Sequence, residues 1–384
     1  MSDEFQRAIQ IAQPILGKEE WEALREPLET GWLTQGPKVA EFERMFAERH
    51  GVRYAIATTS CTTALHLILA ALDIGPGDEV IVPSFTWVST ANAVRYCGAT
   101  PIFADVERTT FNIDPSGIGS LVNSRTRAIL VVHLFGLCAD IDAISSAAPD
   151  IPIIEDAACA VGAEYKGTAA GGLGVAAAFS FHPRKIITTG EGGMISTNDD
   201  FLSHKLQMMR NHGASISEEQ RHLGPKPYIL PAFDEIGYNY RMTDLQGAIG
   251  IEQMKRLDGL LADRKRWAQF YQVQLESLPW LNVPCEPIGG SHSWQSFVCS
   301  VSSDSLVDRN TLMEKLFAKG INTRPGTHAV HRLGCYRQTA EACLRRYPNA
   351  EWCEEQSIAL PLHGRMTDAD YEYVVRCIKE CNPS

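Results

Sequence analysis

"FSFHPRKIITTGEGG", residues 179–193, starts as an apolar strand, passes one lysine and ends in a glycine-rich loop. Lysine ammonium groups normally stay hydrated on the surface. Lys185 stands instead between Phe179 and Phe181 on one side and Ile186 and Ile187 on the other, with Gly190, Gly192 and Gly193 downstream. A lysine drawn out of water at the end of a strand is a candidate nucleophile, because desolvation favours its reactive neutral amine.

The first two thirds of the chain repeat this strand-then-loop theme. Apolar, β-branched runs at 54–60, 79–87, 100–106, 127–136, 152–158, 176–181 and 192–199 read as strands. Between them 61–74, with Leu65, Leu69 and Leu72 at helical spacing, and 89–98 read as helices. Near-continuous apolar strands separated by helices predict an α/β fold on a mainly parallel sheet covered on both faces. From Met242 to Leu260 the pattern predicts a long helix, with Thr243 and Asp244 as capping candidates. Beyond it, a strand at 292–302 and helices at 309–320 and 369–382 predict a small α+β domain. The reading divides the chain into a large domain, 1–259, which includes the N-terminal segment, and a small C-terminal domain, 260–384.

Charge and cysteines narrow the class. With 35 Lys and Arg against 46 Asp and Glu the formal net charge is −11, which argues against nucleic acid or an anionic membrane as the main partner. A local pocket for one phosphate stays open. The start, "MSDEFQRAIQ", carries acids where a signal peptide needs cations, and no apolar run reaches membrane-spanning length. The 11 cysteines contain no C-x-x-C pair, the pattern of reduced thiols in a cytoplasm; neither a disulfide framework nor a zinc or other metal site is expected.

In an open α/β sheet, ligands bind at the carboxyl ends of the strands. "ATTSCTTAL" leaves a strand through small hydroxyl residues into a helix, presenting the N–H groups of Cys61, Thr62 and Thr63 to an anion, although a plain N-cap by Thr59 or Ser60 explains the same residues. "IIEDAACA" ends a strand with Glu155 and Asp156, "PSFTWVST" places Trp87 after another, and Ser180 stands five positions before Lys185. A solvated carboxylate and a core aromatic are the ordinary readings of the middle pair. One cofactor uses all of them. Pyridoxal phosphate needs an amine for a Schiff base (Lys185) and a carboxylate to keep its ring nitrogen protonated (Asp156). It also needs a phosphate cradle (the Ser60–Thr63 turn with Ser180) and a flat side chain to stack on (Trp87).

These stretches, together with "GWLTQGPKVAEFE" and "GYNYRMTDLQGAIG", resemble the DegT/DnrJ/EryC1/StrS family of pyridoxal-phosphate-dependent aminotransferases, fold-type-I enzymes acting on nucleotide-linked keto-sugars. The resemblance runs in order from about residue 31 to 250 and more weakly beyond. It implies that Lys185 forms the internal aldimine and shuttles a proton, that Asp156 pairs with the pyridine nitrogen and that Trp87 stacks on the ring. Cys61, Thr62 and Ser180 would hold the phosphate, joined by Asn239 from the second subunit of a homodimer; read alone, Asn239 is a polar turn residue. At Cys159 many relatives carry Gln or His, so a thiol, a weak donor, is expected as a cofactor contact only. At Ile186 relatives often carry Asn.

The resemblance also implies glutamate as amino donor, and "TTGEGG" is similar to relatives that aminate C4 of a 4-keto-6-deoxy sugar. Substrate-facing candidates are Thr34 and Gln35 in "WLTQGP", His182, Glu191, and Arg324 and His328 in "RPGTHAVH", the last two for a nucleotide diphosphate. Among rival readings, "GLGVAA" (172–177) fits a nicotinamide fingerprint but leads into a strand, which excludes it. For a dehydratase of the same fold, the resemblance implies histidine in place of Lys185. A non-catalytic regulator binding the cofactor or a sugar is the reading from another class, and half-transamination by an amino donor separates it from an enzyme.

Overall fold

The apolar runs pair into one seven-stranded sheet. In chain order its strands are β1 (Tyr54–Thr58), β2 (Glu79–Pro83), β3 (Thr100–Ala104), β4 (Thr126–Val132), β5 (Ile153–Asp156), β6 (Ala176–Ser180) and β7 (Gly193–Thr197). In space they lie β1-β7-β6-β5-β4-β2-β3. From β6 to β3 all neighbours are parallel, whereas β7 runs antiparallel to both β6 and β1. The computed structural model describes residues 8–216, 228–339 and 345–381. Among them no helix is long and apolar enough to cross a membrane.

Side chains of a strand alternate between its faces. Val80, Val82, Leu130, Ile154, Ala176 and Ala178 share one core with the helix Cys61–Ala71. The intervening Ile81, Ile129, Val131 and Ile153 build a second core, and Ala177 and Phe179 a third. Apolar groups on both faces are why these strands read as unbroken hydrophobic runs. The same alternation assigns Asp156 and Ser180 to the face of Ile154 and Ala178, and Glu155 to the opposite one.

The long helix runs Asp244–Leu275, well past the expected end at Leu260. Ile251, Met254 and Leu257 pack under the large sheet, and Trp267, Tyr271 and Leu275 pack into a separate core. That core backs a four-stranded antiparallel sheet ordered Leu281–Asn282, Phe297–Val301, Ser357–Leu360, Arg324–Pro325. It also takes in Ile9, which bridges to Ile321, while Ile11 packs against the large sheet's core. The N-terminal segment therefore contacts both cores. The C-terminal helix ends at Cys381; residue 382, included in its expected span, lies outside the described residues.

The capping expectation needs one correction. Thr243 is the N-cap, its hydroxyl accepting from the Gln246 N–H at 3.3 Å, but Asp244 is already helical. Its buried carboxylate caps a different helix, Pro37–His50, accepting from the N–H groups of Gly36 (2.8 Å), Val39 (3.0 Å) and Lys38 (3.2 Å). Gly36 has no side chain to do this itself, so the cap comes from across the fold. Gly247 permits the approach, because a Cβ there would press on the Lys38 and Val39 backbone. Replacing Asp244 by Ala should lower stability by about 3 kcal/mol, since several donors lose a charged acceptor, with Asp244→Asn intermediate. Urea unfolding midpoints check this; an unchanged Asp244→Ala midpoint would remove the carboxylate from the ties that join these helices.

Candidate active site

The chain leaves β1 through Thr59 and Ser60 into the helix Cys61–Ala71. Ser60 Oγ accepts from the Thr63 N–H at 3.1 Å, and Thr63 Oγ1 accepts from the Ser60 N–H at 3.0 Å. Ala64 donates its N–H to the Ser60 carbonyl at 3.0 Å. This capping box leaves the N–H groups of Cys61 and Thr62 without a partner among the described residues, at the positive end of an 11-residue helix. β7 lies tight against the turn because Gly193 lacks a side chain; a Cβ there would collide with the Ser60 carbonyl group. Ser180, at the end of β6, accepts a long 3.4 Å bond from the His182 N–H, and among the described residues its own hydroxyl proton has no acceptor.

Glu155 and Asp156 are both buried, but on opposite faces their surroundings differ. Glu155 accepts from the N–H groups of Gly171 (2.7 Å), Leu173 (2.8 Å) and Gly174 (2.7 Å), and its Oε2 lies 2.9 Å from His133 Nε2. Every lone pair it has is engaged, so it is a structural carboxylate that ties a loop to the sheet. Asp156 accepts from Thr90 Oγ1 at 2.7 Å and the Ala158 N–H at 3.2 Å, with the Cys61 thiol at 3.9 Å. Burial pushes its carboxyl above the usual carboxylate range, against the lowering effect of Thr90, Ala158, Lys185 and His133. A cationic partner would favour its charged form.

Lys185 follows a tight turn in which its N–H donates to the His182 carbonyl at 2.8 Å. Its Nζ donates to Cys159 Sγ at 3.0 Å, three residues beyond Asp156. Burial works against the ammonium, but Cys159, Cys61 and Asp156 outweigh it and hold the lysine above its usual range. Burial, with Asp156 and Cys159 adding to it, drives the Cys61 thiol far up, so it stays neutral beside the helix start.

Trp87 is not a core aromatic: it is 56% exposed, and its ring lies 5.8 Å from the His328 imidazole. The strand His328–Ala329 pairs with Phe85–Thr86, and Thr327 Oγ1 donates to the Thr86 carbonyl at 3.0 Å. The sheet thus brings the "RPGTHAVH" stretch to Trp87. Arg324 sits apart, exposed on the edge strand opposite Ala359. His182 accepts from the Arg184 N–H at 3.2 Å, and burial lowers its imidazole while Glu191 opposes that. The Glu191 carbonyl accepts from Gln246 Nε2 at 2.6 Å.

Thr34 and Gln35 lie in the loop held at the starts of the helices Pro37–His50 and Asp244–Leu275, with the Thr34 carbonyl accepting from the Asp244 N–H at 3.2 Å. Gln35 Oε1 is buried without a partner among the described residues. Asn239 is exposed between Tyr238 and Tyr240, whose rings stack at 5.0 Å, the latter's hydroxyl 3.0 Å from His66 Nδ1. The Tyr240 carbonyl accepts from the Thr59 N–H at 3.1 Å, so this segment borders the Ser60–Thr63 turn while Asn239 is exposed.

Sequence reasoning missed Thr90 and Gln295. Thr90 is one of several small hydroxyl residues after Trp87, and only the position of its helix, Ser89–Tyr96, turns it to Asp156. Gln295 bonds the backbone on both sides of Lys185 from a segment that carries no motif.

Comparisons with known proteins give the family. The model of the DegT/DnrJ/EryC1/StrS aminotransferase family matches residues 14–379. The chain is 40% identical over 376 residues to GDP-perosamine synthase of Caulobacter vibrioides, covering 97% of this chain and 98% of that protein. Among solved structures it resembles Spr1654 of Streptococcus pneumoniae in its PMP-form (TM-score 0.90, 26% identity, 97% and 98% of the two chains). It also resembles Helicobacter pylori PseC, an aminotransferase involved in the biosynthesis of pseudoaminic acid (TM-score 0.89, 26% identity, 98% and 99%).

The two adjacent carboxylates should separate by experiment. Asp156→Asn should abolish turnover at saturating cofactor with only a small change in melting temperature. Glu155→Gln should lower stability by about 2 kcal/mol, because an amide nitrogen would face donors, and should retain turnover in the folded fraction. Thermal melts and single-turnover rates on both variants check this; equal rate losses would mean the wrong carboxylate is assigned to the chemistry.

Proposed function

The chain belongs to the DegT/DnrJ/EryC1/StrS aminotransferase family, and on that premise we propose that it transfers an amino group from glutamate to a nucleotide-linked keto-sugar, using pyridoxal phosphate held at Lys185. The observation that carries the reading is the convergence of three groups at the carboxyl ends of β1, β5 and β6. These are the N–H groups of Cys61 and Thr62, which lack a partner among the described residues, the buried Asp156 carboxylate and the Lys185 amine against Cys159. They fit the cofactor's phosphate, ring nitrogen and aldehyde respectively. When bound, pyridoxal phosphate supplies an aldehyde that condenses with amines and a protonated ring that accepts electrons from a neighbouring carbon.

The remaining work belongs to the chain. The helix start holds the phosphate by N–H donors and dipole, with Ser180 donating its hydroxyl. Asp156 keeps the proton on the ring nitrogen, and that cation in turn keeps the carboxylate ionised despite its burial, a charge-assisted hydrogen bond worth about 1.5–3 kcal/mol. Lys185 Nζ, released from Cys159, is the amine for the aldehyde and the base for the donor's α-proton. Trp87 offers its exposed ring as a stacking face, and Cys159 stays a contact.

The "TTGEGG" loop supports amination at C4 of a 4-keto-6-deoxy sugar, and the GDP-perosamine synthase relative supports a GDP-linked acceptor. Thr34, Gln35, His182, Glu191, Arg324 and His328 are the substrate-facing candidates. Gln35 Oε1 is an uncommitted acceptor, and His328 lies beside Trp87. We assign the cofactor-binding unit to residues 1–259 and a small C-terminal unit to residues 260–384. A homodimer with shared sites is supported by Asn239 facing outward just after a run of exposed apolar side chains, Tyr228, Leu230, Phe233 and Ile236.

Protein purified with pyridoxal phosphate should be yellow, and glutamate should shift its visible band. Lys185→Ala should lose turnover while still binding the cofactor reversibly; near-normal turnover in that variant would sink the proposal. Product NMR on a panel of nucleotide-linked keto-sugars identifies the acceptor and the carbon aminated.

Asn239→Asp, which sets a carboxylate against the phosphate, should be badly impaired alone. Mixed with equal Lys185→Ala and allowed to exchange subunits, it should recover about a quarter of wild-type activity: half the dimers are mixed and half their sites are intact. Activity that stays at the average of the two variants after demonstrated exchange would show that Asn239 does not act across subunits.

A further inference from the structure

Lys185 is held from a part of the chain that its own motif does not contain. Gln295 is buried, and its side-chain amide spans the lysine: Oε1 accepts from the Ile186 N–H at 3.0 Å and Nε2 donates to the Arg184 carbonyl at 2.7 Å. A glutamine is one of few side chains that can accept and donate in this way without charge. Gln295 is itself anchored. Arg264, buried on the long helix, donates to the carbonyls of Trp294 at 2.9 Å and Gln295 at 3.2 Å. Two residues earlier, Ser293 Oγ donates to the Cys159 carbonyl at 3.2 Å, so the same segment grips the backbone of the thiol that Lys185 Nζ touches.

We infer that Gln295 is a positioning residue for the amine chemistry: by fixing the peptide groups on either side of Lys185 it determines where Nζ lies relative to Cys159 and the bound aldehyde. Arg264 supplies the fixed point that makes this possible. A donor–acceptor pair across two successive peptide groups removes the torsional freedom through which a lysine's backbone would otherwise wander. Misplacement of a reacting atom by about 1 Å can cost on the order of a hundredfold in rate.

The inference rests on the reading of Lys185 as the cofactor-binding amine, and the test separates the two. Ligand-free protein is mixed with pyridoxal phosphate across a pH series. Covalent capture is followed by the visible band and by borohydride reduction with mass analysis of the Lys185 peptide. Gln295→Met, of similar length but unable to make either bond, should reduce the alkaline plateau rate about tenfold or more. Its pH midpoint should also fall toward that of an ordinary lysine, because Nζ would leave Cys159; Cys61, Asp156 and His182 are the other titrating groups around it. Gln295→Glu keeps the acceptor for Ile186 and should lose less. In a Lys185→Ala background, Gln295→Met should leave reversible cofactor affinity within about twofold.

A folded Gln295→Met that captures cofactor at the wild-type rate and midpoint would overturn the assignment. Reversible affinity that falls as steeply as capture would overturn it too, by showing that Gln295 shapes the pocket and not the lysine. If Gln295→Met does not fold, Gln295→Glu is judged by the same two criteria. A wild-type chain that captures no pyridoxal phosphate would refute the functional reading itself, and the role of Gln295 with it.

Discussion

Alternation along one strand puts two neighbouring carboxylates into opposite environments, and the site depends on that separation. Glu155 meets enough N–H donors on its face to satisfy both of its oxygens without water. Asp156 has fewer donors and deeper electrostatic need, which burial expresses as a raised carboxyl pKa. A group left in that condition is destabilised in its charged form until a cation arrives. Positive charge on a ligand is therefore worth more here than it would be at a solvated aspartate.

The start of the helix Cys61–Ala71 follows a similar pattern. The capping box of Ser60 and Thr63 satisfies what the helix start needs for folding and stops short of Cys61 and Thr62. The two unclaimed donors lie at the positive end of the dipole, where they favour an anion and cost little in its absence, since water can reach part of the turn. Gly193 explains a feature that would otherwise read as loop flexibility. It is a strand residue, paired with Thr58, and its missing side chain lets β7 support the turn at contact distance.

Much of this was legible from residues whose roles are local. Strand boundaries at Tyr54–Thr58, Ile153–Asp156 and Ala176–Ser180 fall inside the apolar runs, because both sheet faces are covered and hydrophobicity marks the strand. Lys185, Asp156 and the Ser60–Thr63 turn stood out because each breaks the pattern around it. What escaped depends on contacts between distant segments. Asp244 looked like a cap for its own helix, and only the packing of two helices at Gly247 reveals that it caps another. The two faces of "IIEDAACA" could be assigned by parity, but which face would be electron-poor required the position of Thr90 and of the Gly171–Gly174 loop.

Gln295 illustrates the same limit and adds a physical consequence. Its segment carries Trp294 at a positive φ of 53°, a conformation costly for a bulky residue, and Arg264 holds both carbonyls that follow from it. A buried guanidinium with carbonyl partners and burial-depressed basicity, down to about 10, is itself an expensive arrangement. Strain and buried charge in one place persist only where the surrounding contacts over-determine the geometry, and here those contacts end on the peptide groups beside Lys185 and on Cys159. The C-terminal part of the chain is thus more than a cover laid over a finished site. Lys185 takes its position from the large sheet on one side and, on the other, from a helix that belongs to both cores.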